Sequence, residues 1–165
     1  MKKSTLKLKS TTTEIHRIEK FVEDICDYNN INNTYFGNIL VAVTEAFENA
    51  VIHGNLSDPA KTITIGFEAK PKGLMFEIKD EGMGFDVTAV PDATDVENNP
   101  DKKGTGLFLI RSLADEVRHI DNGRCIQMLF YISSINLQMA TDRVQKLNAF
   151  KKEVKEKSVK KDPQK

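Results

Sequence analysis

One stretch of this 165-residue chain decides its fold: Thr44-Glu45-Ala46-Phe47-Glu48-Asn49-Ala50-Val51-Ile52-His53-Gly54-Asn55. Helical spacing predicts a core face made of Phe36, Ile39, Leu40, Val43, Phe47, Ala50 and Val51. Glu45 and Asn49 lie one turn apart on the opposite side, where their neighbours are apolar or small: Val41, Ala42, Ala46 and Ile52. A helix with apolar residues nearly all round is normally covered on both sides. Because a covered carboxylate needs a partner, we expect a bound metal and phosphate next to Glu45.

Two glycine-containing motifs follow this helix. The first, Asp80-Glu81-Gly82-Met83-Gly84, closes an alternating apolar run, which predicts a strand that leads into a tight turn. The second, Gly104-Thr105-Gly106-Leu107, opens a helical pattern. Free N–H groups and the positive end of the helix dipole at such a start favour phosphate.

Taken in order, the three motifs resemble those of the GHKL (Bergerat-fold) ATPases: an N-box with Glu45 and Asn49, a first glycine box Asp-x-Gly-x-Gly and a second glycine box Gly-x-Gly-Leu. The resemblance covers about residues 11–135. Within that superfamily, His53-Gly54-Asn55 and the run from Gly104 to Val117 are similar to the bacterial anti-sigma-factor serine/threonine kinases. The order of the three motifs carries the resemblance, because each motif alone is common.

The resemblance implies an α/β (α+β) two-layer sandwich of the histidine-kinase-like type, with helices on one face of a mixed sheet. Periodicity predicts helices over about 15–28 and 34–53 and hairpins over 62–80 and 117–133. We divide the chain into a basic segment 1–10 with a predicted edge strand, an ATP-binding domain 11–141, and a basic C-terminal helix with a disordered tail, 142–165.

The resemblance also assigns roles to individual residues. Glu45 would accept the proton of an incoming serine or threonine hydroxyl, whereas Glu48 is expected to be more exposed and not catalytic. Asn49 offers Mg²⁺ a neutral oxygen, and Asp80 would accept a hydrogen bond from the adenine amino group. The remaining nucleotide contacts are assigned to Gly82, Gly84, Lys102, Lys103, Gly104, Thr105, Gly106 and Leu107. A surface glutamate, a structural amide and an ordinary turn aspartate remain the plain alternatives for Glu45, Asn49 and Asp80.

Lysines precede the second glycine box where relatives carry an arginine, so either Lys102 or Lys103 would offset phosphate charge. Between the glycine boxes, residues 85–103 hold two prolines and five acids with little periodicity. A loop of that length in a compact domain is usually functional. In the family that the chain resembles, this segment is the ATP lid.

The formal net charge of zero hides a partition along the chain. Residues 1–10 carry four lysines and no acid, and residues 142–165 carry nine bases and four acids, so the middle holds 11 bases and 20 acids. Such an acidic body argues against direct nucleic-acid binding. The absence of a long apolar run predicts no membrane span and a cytoplasmic protein. Cys26 and Cys125 are expected to be buried free thiols.

The leading function is an ATP-dependent serine/threonine protein kinase that acts as an anti-sigma factor. The resemblance implies a sigma factor and a phosphorylated anti-anti-sigma antagonist as partners, together with a homodimer formed through the first helix and the edge strand. One alternative is a nucleotide-gated protein-binding module without kinase activity. Another is the catalytic part of a histidine kinase, for which a single helix with His16 offers too little of a dimerisation bundle.

Overall fold

The computed structural model describes residues 2–91 and 104–131. Its strands are β1 (Lys3–Lys9), β2 (Thr62–Lys70), β3 (Gly73–Lys79), β4 (Glu116–Ile120) and β5 (Cys125–Tyr131). Its helices are α1 (Ile15–Tyr28), α2 (Asn33–Asn49) and α3 (Thr105–Leu113). Single turns of 3-10 helix occupy Thr12–Glu14 and Val87–Ala89, and a π-helical turn, Ala50–Gly54, continues α2. Residues 92–103, which make up most of the predicted lid, lie outside the described residues. So do residues 132–165, which include the predicted C-terminal helix and tail.

The five strands form one sheet in the order β1-β2-β3-β5-β4, and every pair within the described residues is antiparallel. The predicted mixed sheet is therefore wrong for this part of the chain. β4 does run parallel to β3, but the hairpin between β4 and β5 inserts β5 between them. The two parallel strands consequently make no hydrogen bonds to each other. Among the described strands β1 lies at one edge of the sheet, next to β2, which is the position predicted for the N-terminal strand.

The core lies between one face of the sheet and the helices, which confirms the predicted two-layer fold. Alternate residues of the strands are buried, as in Ile63, Ile65 and Phe67 of β2. From the helix layer, α1 contributes Ile18, Val22 and Ile25, and α2 contributes Ile39, Val43 and Phe47. α2 packs between α1 and α3.

Local signals set the ends of α2. At its start the side chain of Asn32 accepts a hydrogen bond from the N–H of Tyr35 at 2.9 Å. At its end the predicted helix to His53 is corrected: the α-helix stops at Asn49, and the π turn ends where the N–H of Asn55 donates to the carbonyl of Ala50 at 2.8 Å. The wider turn carries the chain toward the end of β3.

One side of α2 remains open to solvent, contrary to the expectation that the helix is covered nearly all round. Val41 is 43% exposed and Ile52 is 49% exposed. The sheet covers one face of α2, and α1 and α3 cover its flanks. No described element packs on the remaining side.

The two cysteines are free and buried, as predicted. Burial raises the pKa of both the Cys26 and the Cys125 thiol to about 12. Both side chains therefore remain protonated at neutral pH. Among the described helices, none has the length and apolar character that crossing a membrane would require.

Candidate active site

The first part of the site lies where the turn after β3 meets the end of the π turn. Asp80 directly follows β3 and is only 7% exposed, and its Oδ1 accepts a hydrogen bond from the N–H of Gly82 at 2.8 Å. A Cβ on Gly54 would lie 2.6 Å from Oδ2 of Asp80, and a Cβ on Gly82 would overlap the carbonyl oxygen of Gly54. The backbone of Gly54 therefore leaves no room for a side chain at Gly82, and the Asp80 carboxylate leaves little room for one at Gly54.

The fully buried side chain of Asn55 connects the π turn to the turn after β3 and to the start of β2 through two hydrogen bonds. Its Oδ1 accepts a hydrogen bond from the N–H of Glu81 at 2.9 Å, and its Nδ2 donates to the carbonyl of Thr62 at 3.1 Å. The Glu81 carboxylate in turn accepts hydrogen bonds from the N–H and the hydroxyl of Thr62. The end of the π turn, the start of β2 and the first glycine box are thereby held in one arrangement.

The second part of the site is the start of α3. Gly104 precedes the helix with φ of +84°, a backbone conformation that favours glycine. A Cβ on Gly106 would lie 2.9 Å from Oε2 of Glu45 and 3.1 Å from Nδ2 of Asn49. The structure therefore brings the predicted pair on α2 directly against the first turn of α3. Free N–H groups and the helix dipole make that turn suited to an anion.

A cavity of about 540 Å³ connects the two parts, and its size is typical of small-molecule sites. Asn49, Gly104, Gly106 and Leu107 line it on one side and Gly54 and Asp80 on the other. Further lining residues include Ala46, Ala50, His53, Ile78, Phe85, His119, Arg124 and Ile126. The wall thus combines apolar surface with a few polar groups.

Burial shapes the charges of the two predicted carboxylates. Desolvation raises the pKa of Glu45, and the nearby Glu48 carboxylate raises it further. Burial also raises the pKa of Asp80, but the Gly82 N–H and the Arg124 guanidinium oppose that shift. The two groups therefore have different electrostatic surroundings: a second acid beside Glu45, and a donor and a cation beside Asp80.

The surroundings of Asn49 bear on its predicted role as a ligand of Mg²⁺. Its Nδ2 is buried and has no hydrogen-bond partner in the described part of the chain, which is unusual for a buried amide. The same residues contain no group of three or more His, Cys, Asp or Glu side chains that could hold a metal ion. The amide also carries an oxygen, a neutral ligand of the kind that Mg²⁺ accepts. Asn49 therefore fits an ion that takes most of its ligands from phosphate and water.

Some predicted site residues lie elsewhere than expected. Glu45 reaches Gly106 but does not line the cavity, and neither does the exposed Thr105. Gly82 and Gly84 also lie behind its wall: a Cβ on Gly84 would overlap the carbonyl oxygen of Asn122 in the β4–β5 turn. These glycines serve backbone packing in the structure. Lys102 and Lys103 lie outside the described residues.

His119 and Arg124 are among the polar residues of the cavity wall that sequence reasoning did not identify. His119 lies on β4, with its ring edge-to-face against Phe85 at 6.0 Å between ring centroids, and burial lowers its pKa. Arg124 ends the turn between β4 and β5. The predicted hairpin already placed Arg124 beside that turn, but only the pairing of β3 with β5 brings it next to Asp80.

Comparisons with known proteins agree with this fold. The family described as "Histidine kinase-like ATPase domain" matches residues 8–130. No curated protein matches. Among solved structures, the crystal structure of the RsbU and RsbW domains of Rv1364c from Mycobacterium tuberculosis is similar in fold, with a TM-score of 0.55 and 14% sequence identity. The match covers 79% of this chain and 32% of that one, so this chain spans about a third of the longer protein. Since the family match includes all three motifs and most of the chain, the protein belongs to the histidine kinase-like ATPase domain family.

Proposed function

We propose that the protein binds ATP with Mg²⁺ in the cavity and transfers the γ-phosphate to a serine or threonine hydroxyl of a partner protein. Membership of an ATPase family implies ATP as the ligand. One observation carries the proposal further: Glu45 and Asn49 lie against Gly106 at the start of α3. A carboxylate, a carboxamide and an anion-binding helix start are the groups that phosphoryl transfer needs close together.

The cavity walls suggest how the nucleotide is oriented. Asp80 would accept a hydrogen bond from the adenine amino group, and the apolar Ile78 and Ile126 would contact the base. The polyphosphate would then extend toward Gly104 and Gly106, where main-chain N–H groups are free of helical partners. Asn49 would contribute the protein ligand to Mg²⁺, which neutralises phosphate charge during transfer.

Glu45 is proposed as the general base. It would take the proton from the partner's hydroxyl as the hydroxyl oxygen bonds to the γ-phosphorus and the bond to the β–γ bridging oxygen breaks, leaving ADP. Burial and Glu48 raise the pKa of Glu45, which makes the carboxylate a stronger base. Glu45 lies beside Gly106 and outside the cavity wall. That position suits a group that acts on a hydroxyl of a partner protein arriving from outside the cavity.

We propose an anti-sigma role with an anti-anti-sigma antagonist as the phosphorylated partner. The motif resemblance supports this role, and the fold is shared with a protein that contains an RsbW domain. The excess of acids between residues 11 and 141 is in keeping with protein partners and not with direct nucleic-acid binding.

A matched pair of variants tests the kinase proposal. Glu45→Gln should lower phosphoryl transfer by about 100-fold or more, the usual scale for a lost general base, while ATP affinity stays within about tenfold. Glu48→Gln is the control: it removes the carboxylate that contributes to the raised pKa of Glu45 but leaves the proposed base in place, so it should lower transfer by no more than a few-fold. The readout is label transferred from γ-labelled ATP to the antagonist protein that co-purifies from the native cell. Equal losses in both variants would contradict the role of Glu45.

The nucleotide-gated binding module remains the second candidate, because Glu45 does not line the cavity. The two functions differ in one result. If the parent holds ATP and a partner but transfers no label to it, the kinase proposal fails and the binding module replaces it.

A further inference from the structure

The strands β3 and β5 place Arg124 directly across from Asp80. Their pairing ends with Lys79 opposite Cys125, and the N–H of Asp80 continues it by donating to the carbonyl of Arg124 at 3.0 Å. Directly opposed residues of an antiparallel pair project to the same face with Cβ atoms about 5 Å apart. Ile78 and Ile126, two residues back along each strand, line the cavity, and so do Asp80 and Arg124. An acid and a base therefore form a cross-strand pair at the cavity wall.

The guanidinium of Arg124 is held in place by the turn that precedes it. Its Nη2 donates to Oδ1 of Asp121 at 2.5 Å, and its Nε donates to the carbonyl of Asp121 at 3.2 Å. The other carboxylate oxygen of Asp121 pairs with Nζ of Lys79 at 2.9 Å. Because several contacts fix the head group, the positive charge remains near the end of β3.

Asp80 needs such a cation. Its role in base recognition requires a carboxylate that accepts hydrogen bonds, yet only 7% of the residue is exposed and burial raises its pKa. The N–H of Gly82 satisfies one oxygen at 2.8 Å. A nearby positive charge is the other means of keeping a buried acid ionised.

We propose that Arg124 is a positioning residue for nucleotide recognition, which keeps the Asp80 carboxylate ionised so that it accepts the hydrogen bond of the base. The proposal rests on the proposed function, because it assumes that the cavity binds ATP. It assigns to Arg124 an action through Asp80 and no contact with the reacting atoms. A lone surface arginine would have no such effect.

Other charged and titratable groups also lie around Asp80 and could contribute to the pH dependence of binding. Lys61 acts on Asp80 in the same direction as Arg124 and precedes β2. His53 on the π turn, Asp86 after the first glycine box and His119 on β4 also line the cavity, and the protonated Cys125 thiol lies beside Arg124. None of these residues is replaced in the Arg124 variants, and the Asp121 carboxylate, which loses Arg124, keeps its pairing with Lys79. A difference between parent and variant therefore reports on Arg124.

The test compares ATP affinity from pH 4.5 to 8 in the parent, Arg124→Ala, Arg124→Lys and Arg118→Ala, by calorimetry. Dividing the ATP affinity of each variant by that of the parent at the same pH removes the effect of ATP's own protonation. In Arg124→Ala, the pH below which binding weakens should move up by about one unit or more, as for an acid that loses a close opposite charge. Arg124→Lys keeps the charge and should restore most of the parent profile. Arg118→Ala removes an exposed arginine paired with Glu116 and should match the parent.

Two results would overturn the proposal. One is binding that is weaker by the same factor at every pH in Arg124→Ala, which indicates a merely structural role or a direct contact. The other is an Asp80 carboxyl group that titrates at the same pH in Arg124→Ala as in the parent, as monitored by carbon NMR without nucleotide. A parent that binds no ATP at any pH overturns the proposed function as well, so the two failures are distinguishable.

Discussion

At the scale of single residues, burial acts in the same direction on two acids of the site, whereas their neighbouring groups shift the pKa in opposite directions. Burial raises the pKa of both Glu45 and Asp80. Glu48 adds to the shift at Glu45, whereas Arg124 and the Gly82 N–H counteract it at Asp80. A proton acceptor in catalysis gains from a raised pKa, and a permanent hydrogen-bond acceptor gains from a lowered one. The surroundings thus match the separate roles proposed for these acids.

Gly106 tests the contact between α2 and α3. In Gly106→Ala the new methyl group would lie 2.9 Å from Oε2 of Glu45, which must shift, and 3.1 Å from Nδ2 of Asn49, which must give by a few tenths of an ångström. We expect phosphoryl transfer to fall by about tenfold, since the rate depends steeply on the position of a reacting group. Transfer rate and Tm are measured together.

Gly37→Ala is the matched control, because a Cβ there has nothing within 4 Å. It should raise stability by roughly 0.5–1 kcal/mol through helix propensity and leave transfer unchanged. Parent-like transfer in Gly106→Ala would show that Glu45 and Asn49 are not held by this contact.

At the scale of elements, the end of α2 does more than terminate a helix. The π turn directs the chain so that Gly54 meets Gly82 and Asn55 bonds to both Glu81 and Thr62. The N-box helix and the first glycine box therefore form one unit, although 24 residues separate Asn55 from Asp80. The geometry at Asp80 depends on this junction.

Asn55→Ala should break the junction. It removes the acceptor of the Glu81 N–H and the donor to the Thr62 carbonyl at a fully buried position. We expect a loss of about 2–4 kcal/mol in the free energy of unfolding, because two partly buried backbone groups lose their partners and a fully buried side chain is removed. Urea denaturation measures the change, and Asn33→Ala, at an exposed position, is the control. A loss below about 0.5 kcal/mol, the usual limit for surface substitutions, would mean that water replaces the side chain at no cost.

At the scale of the whole molecule, the cavity is assembled from the ends of elements that are distant in sequence. The π turn after α2, the turn after β3, the start of α3 and the β4–β5 hairpin each supply part of its wall. A ligand bound there contacts all of them at once. Binding should therefore stabilise the complete fold and not a single element.

Thermal unfolding with ATP and with GTP tests this coupling together with base selection. At a concentration 100 times Kd, ATP should add about 2.7 kcal/mol, which corresponds to a rise in Tm of roughly 5–11 °C for a domain of this size. The same concentration of GTP should produce a much smaller rise, because its carbonyl group would oppose the Asp80 carboxylate. Equal shifts with both nucleotides would contradict the role of Asp80.

The sequence by itself determined the elements and the motifs. The existence of the first two helices, the β2–β3 hairpin and the β4–β5 hairpin follows from periodicity and turn residues within short windows, although the end of the second helix at Asn49 does not. The three motifs identified the fold family, because their order along the chain can be read without knowing which strands pair. The roles of Glu45 and Asn49 remain predictions, as do those of Lys102 and Lys103.

Only the tertiary structure decided which elements touch. The insertion of β5 between β3 and β4 made the described sheet antiparallel and set Arg124 opposite Asp80. The approach of Gly54 to Gly82 and the open side of α2 at Val41 and Ile52 likewise depend on packing. The physical reason is that periodicity shows which residues avoid water, whereas strand order and backbone contact come from pairing between residues far apart in the chain.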